Sequence, residues 1–232
     1  MTVDQEKLHA FLGKLLADLG GAYSVALVRM GERLGLYRAM KDGEPVSAAE
    51  LAGRTGLAER YVREWLAHQA ASGYVSHDAT SGRFTLPPEH AMCFADSDGP
   101  VYMLGAFDSA IAMIGNQPMV EAAFRSGGGV AWGDQTGCLF CAVAKFFRPG
   151  YQANIVESWL PALDGMVTRL ERGARVADIG CGHGHSTMIM AQAFPNSQFV
   201  GFDFHAGSIA EAKQHATAHG LPNLTFEVAA AK

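Results

Sequence analysis

The segment that decides the fold is residues 174–195, ARVADIGCGHGHSTMIMAQAFP. An apolar run, Val176–Ile179, contains a single acid, Asp178, and predicts a strand. Glycine, which allows tight turns and close approach of a ligand, then recurs at alternate positions, namely Gly180, Gly182 and Gly184. An apolar pattern with helical spacing follows. A strand, a glycine-rich turn and a helix in this order predict a site for a nucleotide-like cofactor.

The alternation of strand and helix continues beyond this segment. The predicted elements are a strand over 175–179, a helix from 186 or 187 to 194, a strand over 198–203, a helix over 208–220 opened by a Ser208–Glu211 capping box, and a strand over 224–228. Three strands joined by helices predict a parallel sheet with right-handed crossovers. The expected fold class is α/β, with a helical, winged-helix N-terminal domain followed by the first half of a Rossmann-like sheet.

The N-terminal part of the chain has the pattern of a winged helix-turn-helix. A helix over 24–40 would place Leu27, Met30, Leu34 and Tyr37 on one face. A capping box at Ser47–Glu50 predicts a short helix that ends near Gly56, and another helix is expected over 58–72. Residues 73–86 then read as two short strands around a turn.

Charge within this winged helix does not favour DNA binding. Residues 47–90 contain four arginines and five acids, and Glu59 and Glu64 lie on the helix that would enter the groove. Phosphate contacts supply most of the non-specific affinity for DNA. We therefore expect a structural or dimerising role, no nucleic-acid partner and, from the apolar segments 24–40 and 101–124, a homodimer.

Composition indicates a globular, cytoplasmic protein without a membrane partner. The 232 residues are 49% hydrophobic and 18% charged, with a net charge of −5. The N-terminus does not resemble a signal peptide, and the apolar stretch 101–114 is too short to span a bilayer and predicts a buried helix. Cys138 and Cys141 form a lone CxxC, for which a redox or metal role is the alternative to two small residues in a buried helix.

The region between the winged helix and the sheet is predicted to be mostly helical. Pro118 suits the first turn of a helix over 119–124. Residues 126–137 predict a loop with one aromatic, Trp132, which either connects two helices or covers a substrate. Pro161 should begin a helix that buries Leu163, Met166, Val167 and Leu170. The expected domains are 1–150 and 151–232.

The residues around the glycine turn distinguish between cofactors. A dinucleotide fingerprint would place glycine at the position of His185, and a pyrophosphate would be repelled by Asp178. A cofactor with a cationic amino-acid end would be attracted by the same carboxylate. Asp203 ends the second strand, where an acid can accept hydrogen bonds from both hydroxyls of a ribose. An amino-acid end and a ribose in one molecule indicate S-adenosylmethionine.

These residues carry a resemblance to a known family. VADIGCGHGHST resembles motif I of the class I S-adenosylmethionine-dependent methyltransferases, and FVGFDFH resembles the segment that carries the acid of the second strand. The N-terminal half is similar to the winged-helix domain of natural-product O-methyltransferases. The resemblance implies that Asp203 binds the ribose, that Phe204 flanks the adenine, and that the methionine portion is held by Asp178, Gly180, Cys181, Gly182 and Gly184. It also implies a small-molecule methyl acceptor.

Two departures from the family pattern limit what the resemblance implies. Ala229–Ala231 stands where many members carry an acid, and only three of the family's roughly seven strands can be recognised, so we expect a fragment that is inactive by itself. No catalytic residue and no metal site is assigned, because His183 and His185 are most simply turn and capping residues. A winged-helix regulator that senses a ligand without catalysis, and a nicotinamide oxidoreductase, are the alternative functions.

Overall fold

The computed structural model describes residues 3–135 and 139–230. It divides into two compact units, Met1–Ile114 and Gly115–Lys232. The division falls earlier in the chain than the boundary expected near residue 150, because helices that follow residue 115 pack with the helices and sheet of the second unit. Cys138 of the CxxC pair lies outside the described residues, while Cys141 is half-buried and takes part in a disulfide. Cys141 thus lies in a helix, as expected, but it is not fully buried and it is disulfide-bonded.

The first unit consists of helices and one short hairpin. Its elements are α1 (Gln5–Arg33), a 3₁₀ turn (Arg38–Met40), α2 (Ala48–Thr55), α3 (Glu59–Ala71), β1 (Ser76–Asp78), β2 (Arg83–Thr85), α4 (Pro88–Phe94) and α5 (Leu104–Gly115). The strands β1 and β2 are antiparallel. Helices α2 and α3 followed by this hairpin are the predicted winged helix-turn-helix.

Local signals in the sequence fix the first helix of this motif. The hydroxyl of Ser47 accepts a hydrogen bond from the Glu50 amide at 3.2 Å, and the Glu50 carboxylate accepts one from the Ser47 amide at 2.7 Å. This is the predicted capping box, and it satisfies two amides that the helix leaves without partners. Gly56 then ends α2 in the left-handed conformation, with φ of 69°.

The core of the first unit contains one buried polar pair. The Tyr37 hydroxyl donates to Oε1 of Gln69 at 2.6 Å, and both side chains are buried. The Tyr37 ring lies 5.0 Å from the ring of Trp65 and 4.9 Å from that of Phe94, centroid to centroid. Because the hydrogen bond supplies the partner that a buried hydroxyl needs, Tyr37 can occupy the centre of an otherwise apolar core.

The prediction of one helix over 24–40 is wrong. Helix α1 ends at Arg33, and Gly35 adopts φ of 72°, which turns the chain before the 3₁₀ segment. Of the predicted apolar face, Tyr37 is buried, whereas Met30 and Leu34 are 45% and 48% exposed. The apolar period continues across the turn, so periodicity alone could not show that the helix stops.

Helix α1 carries an exposed apolar surface, formed by Leu8, Phe11, Leu12, Leu15, Leu16, Leu19 and Tyr23. By length and composition alone, α1 is the one helix among the described residues that could cross a membrane. Core helices of soluble proteins and signal sequences pass the same test. Helix α5, expected to be buried, buries only Leu104, Gly105 and Ala112, and its last turn is exposed.

The second unit is a parallel sheet with helices. Its elements are α6 (Gln117–Ser126), a 3₁₀ turn (Trp132–Asp134), α7 (Leu139–Asn154), a π-helical turn (Ile155–Trp159), α8 (Met166–Arg172), β3 (Arg175–Ile179), α9 (His185–Ala193), β4 (Gln198–Asp203), α10 (Ala206–Ala218) and β5 (Leu224–Val228). The strand order is β3-β4-β5, all parallel. The fold is therefore the predicted α/β class with a helical N-terminal domain.

One face of this sheet is covered and the other is bare. Phe199, Leu224 and Phe226 are buried against the helices of the unit, whereas Ile179 is 63% exposed. Strand β3 has β4 as its one neighbour among the described residues. An apolar strand with an open edge and a bare face is a surface that normally pairs with further structure.

Two predicted helix starts of this unit differ from the structure. A π-helical turn and a loop occupy 155–165, Leu163 is exposed, and α8 begins only at Met166. Proline permits a helix start without requiring one, and here Gly165, with φ of 68°, makes the turn instead. Helix α10 begins at Ala206 because the ring of His205, rather than Ser208, caps it.

Candidate functional site

A cavity of about 290 Å³ opens at the carboxyl ends of β3 and β4. Ligands of open parallel sheets bind at this edge. The lining comes from the glycine turn, the two strand ends, α7 and the starts of α9 and α10; it consists of Trp132, Phe140, Val143, Ala144, Phe147, Tyr151, Asp178, Gly180, Cys181, Gly182, His183, His185, Ser186, Asp203 and Ser208. Five of the seven residues predicted to bind a cofactor are thus brought together.

The glycine turn is fastened to the neighbouring strand. The amides of Gly180 and Cys181 both donate to the Phe202 carbonyl, at 2.7 Å and 3.0 Å. Gly180 and Gly182 have φ of 79° and 54°, values that favour glycine. Nothing lies within 4 Å of a Cβ placed on either glycine, so both leave room beside the backbone.

Asp178 is held by two hydroxyl groups. Its Oδ2 accepts hydrogen bonds from Ser186 at 2.9 Å and Thr187 at 2.7 Å, both in the first turn of α9. A carboxylate is also stabilised electrostatically near the start of a helix. The acid that interrupts the apolar strand is therefore fixed in place by the helix that follows the turn, and it faces the cavity.

Asp203 connects the second strand to the glycine turn. Its Oδ2 accepts from the Gly182 amide at 2.9 Å, and its Oδ1 accepts from the His205 amide at 2.8 Å. Each carboxylate oxygen has a second lone-pair direction, so both can still accept a bond from a ligand hydroxyl. These two hydrogen bonds hold Asp203 at the cavity wall, where its carboxylate is suited to bind the two hydroxyls of a diol.

Aromatic side chains of α7 form a wall of the cavity that the sequence interpretation missed. Phe140, Phe147 and Tyr151 are spaced seven and four residues apart, which places them on one helical face. This spacing was available in the sequence, but it does not distinguish a cavity wall from a core. Burial, and to a smaller degree Asp178, raises the pKa of Tyr151, so its hydroxyl stays protonated. Trp132, from the predicted loop, lines the same cavity.

Burial shifts the pKa values of two histidines and a cysteine at the turn toward their uncharged forms. The pKa of His183 is lowered by burial, and that of His185 is lowered to about 4, mainly by burial. Burial also raises the pKa of the Cys181 thiol to about 12. His183 Nδ1 lies 3.0 Å from a carboxylate oxygen of Glu211, a pair for which we find no signal in the sequence.

Gly184 and Phe204 are the predicted binding residues that do not line the cavity. Gly184 packs beneath the turn, where an added Cβ would lie 2.3 Å from Cζ of Phe226, and its φ is 74°. Phe204 is 58% exposed. Glycine is thus required at 184 for packing, while the role of Phe204 toward an adenine stays a prediction.

No cluster of three or more His, Cys, Asp or Glu side chains able to hold a metal ion occurs among residues 3–135 and 139–230. The cavity contains two carboxylates but no lysine or arginine among its described lining residues. Its charge therefore favours a cationic ligand group over a phosphate.

Comparison with protein families identifies two segments. Residues 22–95 match the Rv2258c-like winged HTH domain, and residues 170–232 match a methyltransferase domain. A trans-aconitate 2-methyltransferase of Methylobacterium nodulans is 39% identical over 74 residues, which are 32% of this chain and 27% of that protein.

Solved structures show the same architecture over nearly the whole chain. A Nostoc punctiforme protein provisionally described as an O-methyltransferase has a TM-score of 0.70 at 19% identity, over 94% of this chain and 64% of that one. CalO1, a methyltransferase of calicheamicin biosynthesis solved with S-adenosylhomocysteine, has a TM-score of 0.61 at 21% identity, over 99% and 68%. The chain thus spans about two thirds of these structures and about a quarter of the curated relative. Residues 22–95 are thus similar to a winged HTH domain and residues 170–232 to a methyltransferase domain, and the solved structures share the fold.

Proposed function

We propose that the protein binds S-adenosylmethionine and transfers its methyl group to a small-molecule acceptor. The observation that carries the proposal is the pair of fixed carboxylates, Asp178 and Asp203, on either side of the glycine turn in one aromatic-lined cavity. The structural neighbour CalO1, solved with S-adenosylhomocysteine, supports the choice of cofactor.

The two carboxylates fit different parts of this cofactor. Asp178 would attract the ammonium group of the methionine portion, and Asp203 would accept hydrogen bonds from the ribose hydroxyls. Gly180 and Gly182 leave space for the cofactor chain beside the turn. The same carboxylates would repel the pyrophosphate of a nicotinamide dinucleotide, and the described lining offers no lysine or arginine to offset that repulsion.

The aromatic wall suits the reaction as well as the ligand. When bound, S-adenosylmethionine supplies an electrophilic methyl group on a positively charged sulfur. Aromatic faces attract such cations, and the side chains of Phe140, Phe147 and Tyr151 keep water away from that region. This chain would hold the methyl donor and exclude solvent. These are the main requirements for methyl transfer, a displacement reaction that depends on bringing donor and acceptor together. No residue is assigned as the base for the acceptor.

We also propose that transfer requires structure additional to these three strands. The open edge of β3 and the bare sheet face, with Ile179 exposed, support this, as does the partial coverage of the relatives. In the full-length protein the acceptor pocket would then be completed by residues that cover this face. Comparing transferase activity of the 232-residue chain with that of the full-length protein tests the requirement, and equal activity contradicts it.

Calorimetric titration of the full-length protein tests the cofactor assignment. We expect S-adenosylmethionine or S-adenosylhomocysteine to bind and NAD to bind poorly. Tighter binding of NAD than of S-adenosylmethionine would refute the assignment. Binding of S-adenosylmethionine without methylation of any acceptor in a broad small-molecule screen would instead favour the ligand-sensing regulator.

Asp203→Ala sharpens this test. Loss of the charge-assisted hydrogen bonds to the ribose should weaken S-adenosylmethionine binding by roughly 1–3 kcal/mol. Asp164→Ala is the matched control, because Asp164 is an exposed acid of the same unit outside the cavity lining. Equal affinities of the two variants would exclude Asp203 from the binding site.

We further propose that the first unit forms a homodimer. The exposed apolar surface of α1 supports this, and so does an apolar cavity of about 530 Å³ in the same unit lined by residues such as Leu27, Leu57 and Tyr61. Burial of such surfaces between two copies is favourable in proportion to their area. Light scattering at micromolar concentration should show a dimer that Leu16→Glu weakens and Lys7→Glu, on the same helix, does not. A monomeric parent protein would contradict the proposal.

The winged helix is proposed to have no nucleic-acid partner. Arg60 and Arg63 of α3 are each paired with a glutamate of the same helix, Glu64 and Glu59. This leaves little net positive charge for phosphate contacts. Gel shifts with random duplex DNA test the proposal, and salt-dependent binding at low micromolar protein would contradict it.

A further inference from the structure

His183 has no part in the function proposed above, although it lines the cavity at the glycine turn. It lies between Gly182 and Gly184 and is 8% exposed. Its Nε2 is buried and has no hydrogen-bond partner among residues 3–135 and 139–230. Because buried polar atoms normally have a partner, this nitrogen retains an unused capacity for hydrogen bonding at the cavity wall.

Glu211 of α10 holds the same ring at its other nitrogen. A carboxylate oxygen of Glu211 lies 3.0 Å from Nδ1 of His183. Since an ionised carboxylate only accepts hydrogen bonds, Nδ1 carries the proton of the neutral ring. Burial lowers the pKa of His183 and so favours that neutral ring, although Glu211 opposes the shift. Nε2 is then left with its lone pair, which makes it a hydrogen-bond acceptor.

Phe140 of α7 packs against the ring of His183 and connects it to the surroundings of Asp203. The centroid of the Phe140 ring is 5.6 Å from that of His183 and 4.8 Å from that of His205. Asp203 in turn accepts from the amides of His205 and Gly182, at 2.8 Å and 2.9 Å. His183 is therefore fixed beside the carboxylate that is suited to bind a diol.

We propose that His183 is a further cofactor-binding residue, which accepts a hydrogen bond at Nε2 from an N–H or O–H group of S-adenosylmethionine, and that Glu211 is the positioning residue that orients it. This assignment rests on the proposed function, in which the turn lies beside the methionine and ribose portions. The donor is accordingly either the ammonium group or a ribose hydroxyl. An ammonium group carries three N–H donors, so it can bind an acceptor in addition to Asp178.

Two substitutions separate the nitrogens of the ring, because an asparagine amide reaches the position of Nδ1 and a glutamine amide that of Nε2. In calorimetric titration of the full-length protein, His183→Asn should weaken binding of S-adenosylhomocysteine by about tenfold, and His183→Gln, which keeps an acceptor, by less. His219→Asn, at an exposed position at the end of α10, should leave the affinity unchanged. Unchanged affinity of His183→Asn, a greater loss in His183→Gln, or an equal loss in His219→Asn would overturn the proposal.

Glu211→Ala tests the positioning role. Without the carboxylate the ring can turn, so affinity for S-adenosylhomocysteine should fall by about threefold in the parent protein and no further in His183→Ala. Asp164→Ala, at an exposed acid of the same unit, is the control. Additive losses of Glu211→Ala and His183→Ala would show that Glu211 does not act through His183.

Ligand analogues distinguish the two possible donors. The analogues are S-adenosylhomocysteine without the 2′-hydroxyl, without the 3′-hydroxyl, and without the amino group. The analogue that lacks the donor should bind the parent protein and His183→Asn with equal affinity, because the hydrogen bond to Nε2 is then absent in both. If His183→Asn weakens all three analogues as much as the complete ligand, neither kind of donor reaches Nε2 and the proposal is refuted.

A titration of the unaltered protein guards against variants that fail to fold. A donor bound at Nε2 stabilises the neutral ring, so S-adenosylhomocysteine should lower the pKa of His183 further in NMR spectra of the ring. Affinity should therefore weaken as pH falls through the pKa of the free protein, below the ordinary value of 6.5. An unchanged or raised pKa in the bound state would overturn the proposal.

Other titratable groups face this ring, and a non-titrating variant separates their effect. They are Glu211 and His215 of α10, His205, Asp203 at the end of β4, and His185 of α9. His183→Gln should lose the part of the pH dependence that belongs to His183, and an unaltered pH dependence in this variant would contradict the proposal. Failure of S-adenosylhomocysteine to bind at all would refute the proposed function as well, whereas binding that leaves His183 unaffected refutes only its assignment.

Discussion

The two units of the chain place their charged side chains differently. On the winged helix the charged groups pair with one another at the surface, as in Arg60 with Glu64 at 2.8 Å and Arg83 with Glu50 at 2.6 Å. In the second unit, Asp178 and Asp203 are partly buried, bonded to hydroxyl and amide donors, and directed at a cavity. Exposed ion pairs contribute little to stability. Partly buried acids that are held by fixed hydrogen-bond donors beside a cavity are instead typical of a functional site.

The difference indicates where the chemistry of the protein lies. The first unit has a core in which the main buried polar contact, Tyr37 with Gln69, is fully internal. It is built as a scaffold with an apolar surface on α1. The second unit has a smaller core and leaves both a sheet face and a cavity open. Under the proposed function, the methyl donor and the acceptor bind to the second unit, and a second copy of the chain binds to the first.

The largest expected effect concerns the glycine that packs beneath the turn. Gly184→Ala would place a Cβ 2.3 Å from Cζ of Phe226 in a left-handed conformation. Overpacking and backbone strain together should destabilise the second unit by roughly 2–5 kcal/mol. Denaturant unfolding with hydrogen exchange should show the loss at 174–228 and an unchanged winged helix.

Gly220→Ala is the control for this prediction. Gly220 also has positive φ, 62°, but nothing lies within 4 Å of an added Cβ. Gly220→Ala should therefore lose only the stability that depends on the backbone conformation, roughly 1 kcal/mol. If both variants lose the same stability, the packing of Gly184 against Phe226 is not what requires glycine.

A core substitution in the first unit, Tyr37→Phe, should cause a smaller loss of stability. Tyr37→Phe removes a 2.6 Å hydrogen bond and leaves the buried Gln69 amide oxygen without that donor, at a cost of about 1–3 kcal/mol. The free energy of unfolding of the winged helix should fall, while S-adenosylmethionine affinity stays the same. Tyr61→Phe, at an exposed position, should change stability by less than about 0.5 kcal/mol. A loss of cofactor affinity in Tyr37→Phe would contradict the separate roles of the two units.

Acid should affect the second unit through His185. Its pKa is about 4 in the folded state, below its ordinary value of 6.5, so the unfolded state binds more protons between these values. Stability is therefore fully present above about pH 6.5 and is lost as pH falls toward 4. Urea unfolding at about pH 7 and about pH 5 should show a smaller difference for His185→Asn than for the parent protein. An equal difference would mean that His185 does not titrate in this way.

The smallest effect is expected at the surface of the winged helix. Arg60→Ala removes one exposed ion pair with Glu64 and should cost at most about 0.5 kcal/mol. Thermal unfolding should detect almost no change, and cofactor binding none. A loss above about 1 kcal/mol would show that these pairs stabilise the unit more than exposed pairs usually do.

Much of the fold was predictable because its signals are local. The Ser47–Glu50 capping box and the strands over 175–179, 198–203 and 224–228 all lie where the sequence predicts them. The turn glycines and the two acids at the strand ends were also recognisable, because parallel strands bring their carboxyl ends to one edge. Whether Asp178, Asp203 and the turn bind the cofactor stays a prediction.

Features that depend on contacts distant in sequence were not predictable. Helix α10 begins at a His205 cap instead of the Ser208–Glu211 capping box, and Glu211 pairs with His183 of the turn. The chain divides after Ile114 rather than near residue 150, because α7 packs against α9 of the second unit.

The sequence by itself determined the order of elements, the positions of the acids and glycines, and the class of cofactor they suit, since these follow from periodicity, conformational preference and charge. Only the tertiary structure decided what surrounds them. It brought the aromatic face of α7 to the cavity at the glycine turn, and the carboxylate of Glu211 from α10 to the ring of His183. The physical reason is that a helix face can be read from spacing, but the surface it meets depends on how whole elements pack together.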